Sequence, residues 1–100
     1  MKNYRVKEID GKFCPQKRSL LFFWDDIRLY DCAARNWFVD SVQENPRYGT
    51  VDYIVCRDDW GSTIWFQPEF GTLEQAKLFI EEYKKFLERK RESEKSKYYY

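Results

Sequence analysis

A chain of 100 residues fits one domain that can bury a single core without metal or disulfide support. Twenty residues are aromatic and 35 are charged, and the charge is divided: residues 1–83 carry eleven Lys or Arg against fourteen Asp or Glu, net −3, whereas residues 84–100 carry seven against three, net +4. The split excludes a surface that is basic all over and a uniformly acidic mimic of nucleic acid, and the lack of any histidine excludes Cys–His and Ser–His nucleophiles.

Residues 4–9 alternate apolar and polar, which predicts a strand with one face on a core. Asp10 and Gly11 supply a turn that tolerates positive φ, and Lys12–Cys14 resumes extended chain, so the first element is a hairpin. Pro15 lacks a backbone donor, which predicts that the second strand lies at an edge or ends there. The unbroken apolar run Leu20–Trp24 predicts a central strand covered on both faces. Ile27, Tyr30, Ala34, Trp37 or Phe38 and Val42 then recur at intervals of three and four. This spacing predicts a helix over 28–43, capped by Asp25 or Asp26 and stopped by Asn45 and Pro46. A competing reading of the same stretch is a loop with a short strand at Trp37–Val39.

Val51–Arg57 and Ser62–Gln67 read as two strands joined through Asp58, Asp59, Trp60 and Gly61, with Pro68 ending the second. Thr72 followed by Gln75 forms a capping box, and Phe70 supplies an apolar contact at the helix entrance. Leu73, Ala76, Phe79, Ile80, Tyr83, Phe86 and Leu87 follow at helical spacing, opposite Lys77, Glu81, Glu82 and Lys85. Beyond Leu87 the apolar face is lost. The fold class is therefore α+β: a mainly antiparallel four- to five-stranded sheet covered by a C-terminal amphipathic helix from about 73 to 90. Residues 1–90 form the domain and residues 91–100 a basic tail ending in Tyr98, Tyr99 and Tyr100.

Cys14, Cys32 and Cys56 are odd in number and lack metal-site spacing, so they read as reduced thiols of a cytosolic protein. Met1–Val6 has no apolar run of signal-peptide length, and Leu20–Trp24 is too short to span a bilayer. The expected location is the cytoplasm, away from membranes. The four solitary glycines make no phosphate cradle, and no cofactor is called for.

Three functional classes remain. The acid pairs Asp25–Asp26 and Asp58–Asp59 offer oxygen ligands for a small metal-dependent nuclease, although Asp is locally favoured both in turns and at helix starts. Lys84, Lys85, Arg89, Lys90 and Arg91, with the terminal tyrosines, suit a single-stranded DNA or RNA binding module, although cations also suit any helix C-terminus. Tyr48 beside Gly49 and Trp60 at a hairpin tip suit a protein-binding anchor. The excess of rings would also serve homo-oligomerisation through an edge strand.

Tyr4–Val6, then Asp10, Gly11, Lys12 and Phe13 with Pro15 and Gln16, then Phe22–Trp24, and finally Phe70, Thr72, Leu73, Glu74 and Ala76 with Phe79 and Ile80, give an order of segments that resembles short proteins of phages and prophages. The likeness covers the first quarter of the chain and residues 64–83. It implies a meander-plus-helix fold and a phage setting, in the cytoplasm of the host cell, and it carries over no catalytic or binding residue. The leading expectation is a non-enzymatic interaction protein that binds and modulates a host protein.

Overall fold

The computed structural model describes residues 3–20, 22–49, 51–61 and 64–94. Strands β1 (Tyr4–Ile9) and β2 (Lys12–Leu20) form the expected hairpin, turned by Asp10 at φ 49° and Gly11 at φ 76°. Two successive positive φ values give the tight turn whose twist matches that of its strands. Next come β3 (Phe23–Asp26), helix α1 (Cys32–Phe38) continued by π-helical turns over Val39–Gln43, β4 (Val51–Arg57), β5 (Ile64–Phe70) and helix α2 (Leu73–Glu94). The sheet is antiparallel throughout, ordered β1-β2-β5-β4, with β3 also paired to β2. The fold is α+β, with a five-stranded sheet, a long C-terminal helix and a short second helix.

Three local expectations are corrected. Leu20–Trp24 is not a central strand, because the run straddles the two-residue connection from β2 to β3 and leaves Leu20, Phe22 and Phe23 exposed; Leu21 lies outside the described residues. The helix expected over 28–43 starts only at Cys32, where Asp31 rather than Asp25 or Asp26 is the cap. Neither proline does what was expected of it: Pro15 lies inside an internal strand, and β5 runs through Pro68 to Phe70. The Ser62 and Thr63 portion of the last strand lies outside the described residues.

The prolines explain one another. β2 meets β5 at the pair Phe13 and Phe70, and continuing that register sets Pro15 opposite Pro68. Pro15 directs its backbone to that side, since its carbonyl accepts from Ile27 N–H at 3.0 Å. Phe66 exchanges two bonds with Leu29, so Pro68, two residues on, also faces away from β4. Both missing donors therefore fall in the gap between β2 and β5, where the ladder stops. Asp26–Leu29 fills that gap, with Ile27 and Leu29 buried in the core.

Both helices lie on one face of the sheet. Phe38 of α1 touches the rings of Tyr53, Phe66 and Phe79, and Phe79 of α2 touches Phe70 and stacks on Tyr83. Trp37 stacks on Phe86 with ring centroids 4.9 Å apart, which joins the two helices directly. Thr72 Oγ1 accepts from Gln75 N–H at 3.2 Å and caps α2 as its sequence predicts. Among the described residues no helix is long and apolar enough to cross a membrane.

Burial pushes the phenols of Tyr48 and Tyr83 up from 10.0 to about 12, with nearby Glu82 adding to the effect at Tyr48 and Tyr4 at Tyr83. A folded-state value above the unfolded one means that the tyrosines' contribution to stability is complete below pH 10 and is lost as pH rises through 12. An ultraviolet phenolate titration should therefore show two phenols ionising only together with loss of helical circular dichroism, and Tyr48→Phe should remove one of them.

Candidate functional site: the hairpin end of the sheet

The registers place two hairpin tips at one end of the sheet. From Phe13 to Leu20, β2 runs the way β5 runs back from Phe70 toward Ile64, and Ile64 pairs with Arg57, which leads to the tip at Trp60. Of ten large apolar side chains exposed among the described residues, five lie at this end: Leu20, Phe22, Phe23, Tyr30 and Trp60. Phe22 is 86 % exposed and Trp60 88 %. Tyr30 belongs to the group because its ring sits 5.5 Å from that of Trp65, next to the start of β5. Gly61, at φ 69° with its N–H bonded to Asp58 C=O at 3.0 Å, closes the turn that projects Trp60 outward.

The other exposed apolar groups fall elsewhere. Tyr53, Ile54 and Val55 are consecutive on β4, Ile9 stands by itself at the opposite hairpin, and Leu73 helps to line a groove of about 850 Å³. That groove runs between β1 and α2, with Val6 and Ile80 as its apolar wall and Lys77, Glu81 and Lys84 along its rim.

The sheet face turned away from the helices carries a polar ladder. Arg5 Nε donates to Gln16 Oε1 at 2.8 Å, and Gln16 Nε2 donates to Asp26 Oδ1 at 2.9 Å. Gln67 Nε2 donates to Asp26 Oδ2 at 3.2 Å, and Arg28 Nε donates to Gln67 Oε1 at 3.3 Å. The two guanidiniums also lie over rings, Arg5 over Trp24 at 4.4 Å and Arg28 over Trp65 at 5.8 Å. These contacts occupy both oxygens of Asp26 and cover the two tryptophans.

The described residues singled out by sequence fall in different places. Tyr48 is corrected: it is 1 % exposed, packed on Phe70 at 5.7 Å, so it cannot touch a partner as part of an aromatic anchor. Its neighbour Gly49 turns the chain inward at φ 60°, and a Cβ there would come within 3.0 Å of Gln75 Nε2. Trp60 stands in solvent. Asp25 and Asp26 alternate to opposite faces of β3 and cannot grip one cation together. Among the described residues no three His, Cys, Asp or Glu side chains converge. The basic helix end is partly committed within the chain: Lys84 pairs with Glu81 and lies over the Tyr4 ring, Lys85 pairs with Glu82, and Lys90 pairs with Asp31. Arg89 and Arg91 are exposed. Residues 95–100, including the three tyrosines, lie outside the described residues. Sequence reasoning missed Leu20, Phe22 and Phe23, since no Gly, Pro, Asn or Asp marks the connection between them and the run reads as buried strand.

No protein-family model, curated protein or solved structure matches this chain.

The Asp31–Lys90 pair fastens α2 to the start of α1. Asp31 Oδ1 also accepts from Ala34 N–H at 2.7 Å. The Lys90 ammonium and this cap bond hold the Asp31 carboxyl below its usual 3.8. A depressed value means that its contribution is complete above pH 3.8 and is lost as pH falls through the folded-state value. In urea unfolding, Asp31→Ala should cost about 0.5–2 kcal/mol, the usual loss for an N-cap. Asp31→Asn keeps the cap oxygen and should cost less than Asp31→Ala.

Proposed function

We propose that this protein is a non-enzymatic interaction protein that captures another protein through the hairpin end of its sheet, using Phe22 and Trp60 as anchors with Leu20, Phe23 and Tyr30 around them. The observation that carries this reading is the grouping of five exposed large apolar side chains at one end of a chain whose other described rings, Tyr53 apart, are buried or half-buried. Covering a Phe or Leu side chain fully is worth roughly 1.5–3 kcal/mol. Aromatic anchors seated in a partner's pockets supply most of the energy of typical interfaces. A phage or prophage accessory role, modulating a host protein, belongs to the same proposal and rests on the resemblance of the hairpin and helix segments.

The basic helix end supports a nucleic-acid partner less well, because three of its five predicted contacts already meet groups of this chain. The two readings part in one experiment. Tagged full-length chain is used for affinity purification from nuclease-treated lysate of its native host, beside a Phe22→Ser, Trp60→Ser double variant and an Arg89→Glu, Arg91→Glu double variant. Surface changes of this kind should shift stability by no more than about 0.5 kcal/mol each. The aromatic variant should lose the captured protein and the arginine variant should retain it. Equal recovery by the aromatic variant would discard the hairpin end as the capture surface.

A further inference from the structure

The two edges of the sheet are built differently. β1 carries Arg5, Lys7 and Glu8, charges of the kind that discourage one strand edge from pairing with another. β4 carries Tyr53, Ile54 and Val55 in succession, all exposed, and has no Lys, no Pro and no bulge along its unbroken register with β5. Because Phe66 bonds away from β4, Trp65, Gln67 and Glu69 bond toward it, and their partners are Cys56, Ile54 and Asp52. The backbone N–H and C=O groups of Val51, Tyr53, Val55 and Arg57 therefore point outward along the open edge.

That edge is complementary to itself. A second copy rotated by a twofold axis through Ile54 sets Tyr53 against Val55, Val51 against Arg57, Asp52 against Cys56, and Ile54 against its own counterpart. All four outward-facing residues of each copy then meet a backbone partner. Each Tyr53 ring packs beside a β-branched Val55, a favourable cross-strand pair, and no charge faces its like. Sliding the register by two residues in either direction strands Arg57 or Val51 of both copies. We infer that this chain forms a homodimer in which β4 of two copies pairs antiparallel about Ile54, so that one sheet runs through both. The dimer uses none of the side chains of the capture surface and stands whether or not that surface binds a partner.

Light scattering or sedimentation of the full chain, from low micromolar to near-millimolar concentration, should give twice the single-chain mass of 12.4 kDa. Val55→Pro deletes a donor that faces outward and leaves the β5 ladder whole, a position where strands tolerate proline. It should give the single-chain mass with unchanged circular dichroism. Independently of that variant, Ile54→Cys in a Cys32→Ser, Cys56→Ser background should link two chains on oxidation, since opposed residues at such a site fall within disulfide reach. Asp52→Cys in the same background should not. A single-chain mass at every concentration, a dimer indifferent to a folded Val55→Pro, or linking through Asp52→Cys in place of Ile54→Cys would overturn the inference. Dissociation by Phe22→Ser with Trp60→Ser would overturn it too, because it would place the contact at the hairpin end.

Discussion

Two prolines that face each other decide how this sheet is assembled. Where β2 and β5 would continue their ladder past Phe13 and Phe70, Pro15 and Pro68 have no N–H to offer, and the strands part. The opening accepts Asp26–Leu29, a segment held at both margins. Gln16 of β2 and Gln67 of β5 each give an amide N–H to one oxygen of Asp26, and Pro15 and Phe66 hold the backbone at Ile27 and Leu29. Even a half-buried carboxylate without such donors would be costly, and here both oxygens are satisfied. Gln16, only 5 % exposed, is satisfied in turn by Arg5.

Consequences of this fork reach both faces. On the covered face it drops Ile27 and Leu29 into the core and delivers the chain to Asp31, where α1 begins beneath the C-terminal half of α2. Trp37 can then reach Phe79, Tyr83 and Phe86 together, so one indole couples the two helices. On the open face it lines up Arg5, Gln16, Asp26, Gln67 and Arg28 as one ladder, with Trp24 and Trp65 beneath the guanidiniums. At the end of the sheet it splays the β2–β3 tip from the β4–β5 tip, and the rings that the core cannot use are left there.

Much of this was legible in the sequence, and the failures share a cause. The Asp10–Gly11 hairpin, β4, the cap at Thr72 and the stripe of α2 are written in local chemistry: turn residues, β-branched runs and a 3.6-residue period. Pro15, Pro68 and Leu20–Trp24 mislead a local reading because their meaning depends on another strand. A proline in a strand is harmless only where its missing donor faces no partner, and nothing near residue 15 reports what residue 68 is. An apolar run marks a central strand only if both its faces are covered, which depends on where the chain turns. Tyr48, a candidate anchor beside Gly49 by sequence, is instead buried, because the 3-10 turn of Pro46–Tyr48 directs its ring onto Phe70. The α1 start at Asp31 is hidden because the stretch before it keeps helical spacing while its backbone is committed to bonds with Pro15 and Phe66.

The proposed capture surface shares the β4–β5 hairpin with the β4 edge only through Trp60, and the geometry keeps the two from competing. In an antiparallel pair about Ile54, the chain leaves β4 toward Trp60 in opposite directions in the two copies. Three residues of extended chain, at about 3.3 Å each, separate Ile54 from the end of β4 at Arg57, and the turn that carries Trp60 lies beyond it, so the two hairpin ends stand more than about 20 Å apart on opposite sides of the dimer axis. Each end would then meet its own partner molecule, or two sites on one large partner. In the second case the second contact forms within one complex and gains effective concentration from the first. Capture by Phe22 and Trp60 can on this account be modest at each end and still be firm for the dimer. A strand edge centred about 10 Å or more from the proposed binding tips, and sharing none of their side chains, would supply that coupling without altering the tips themselves.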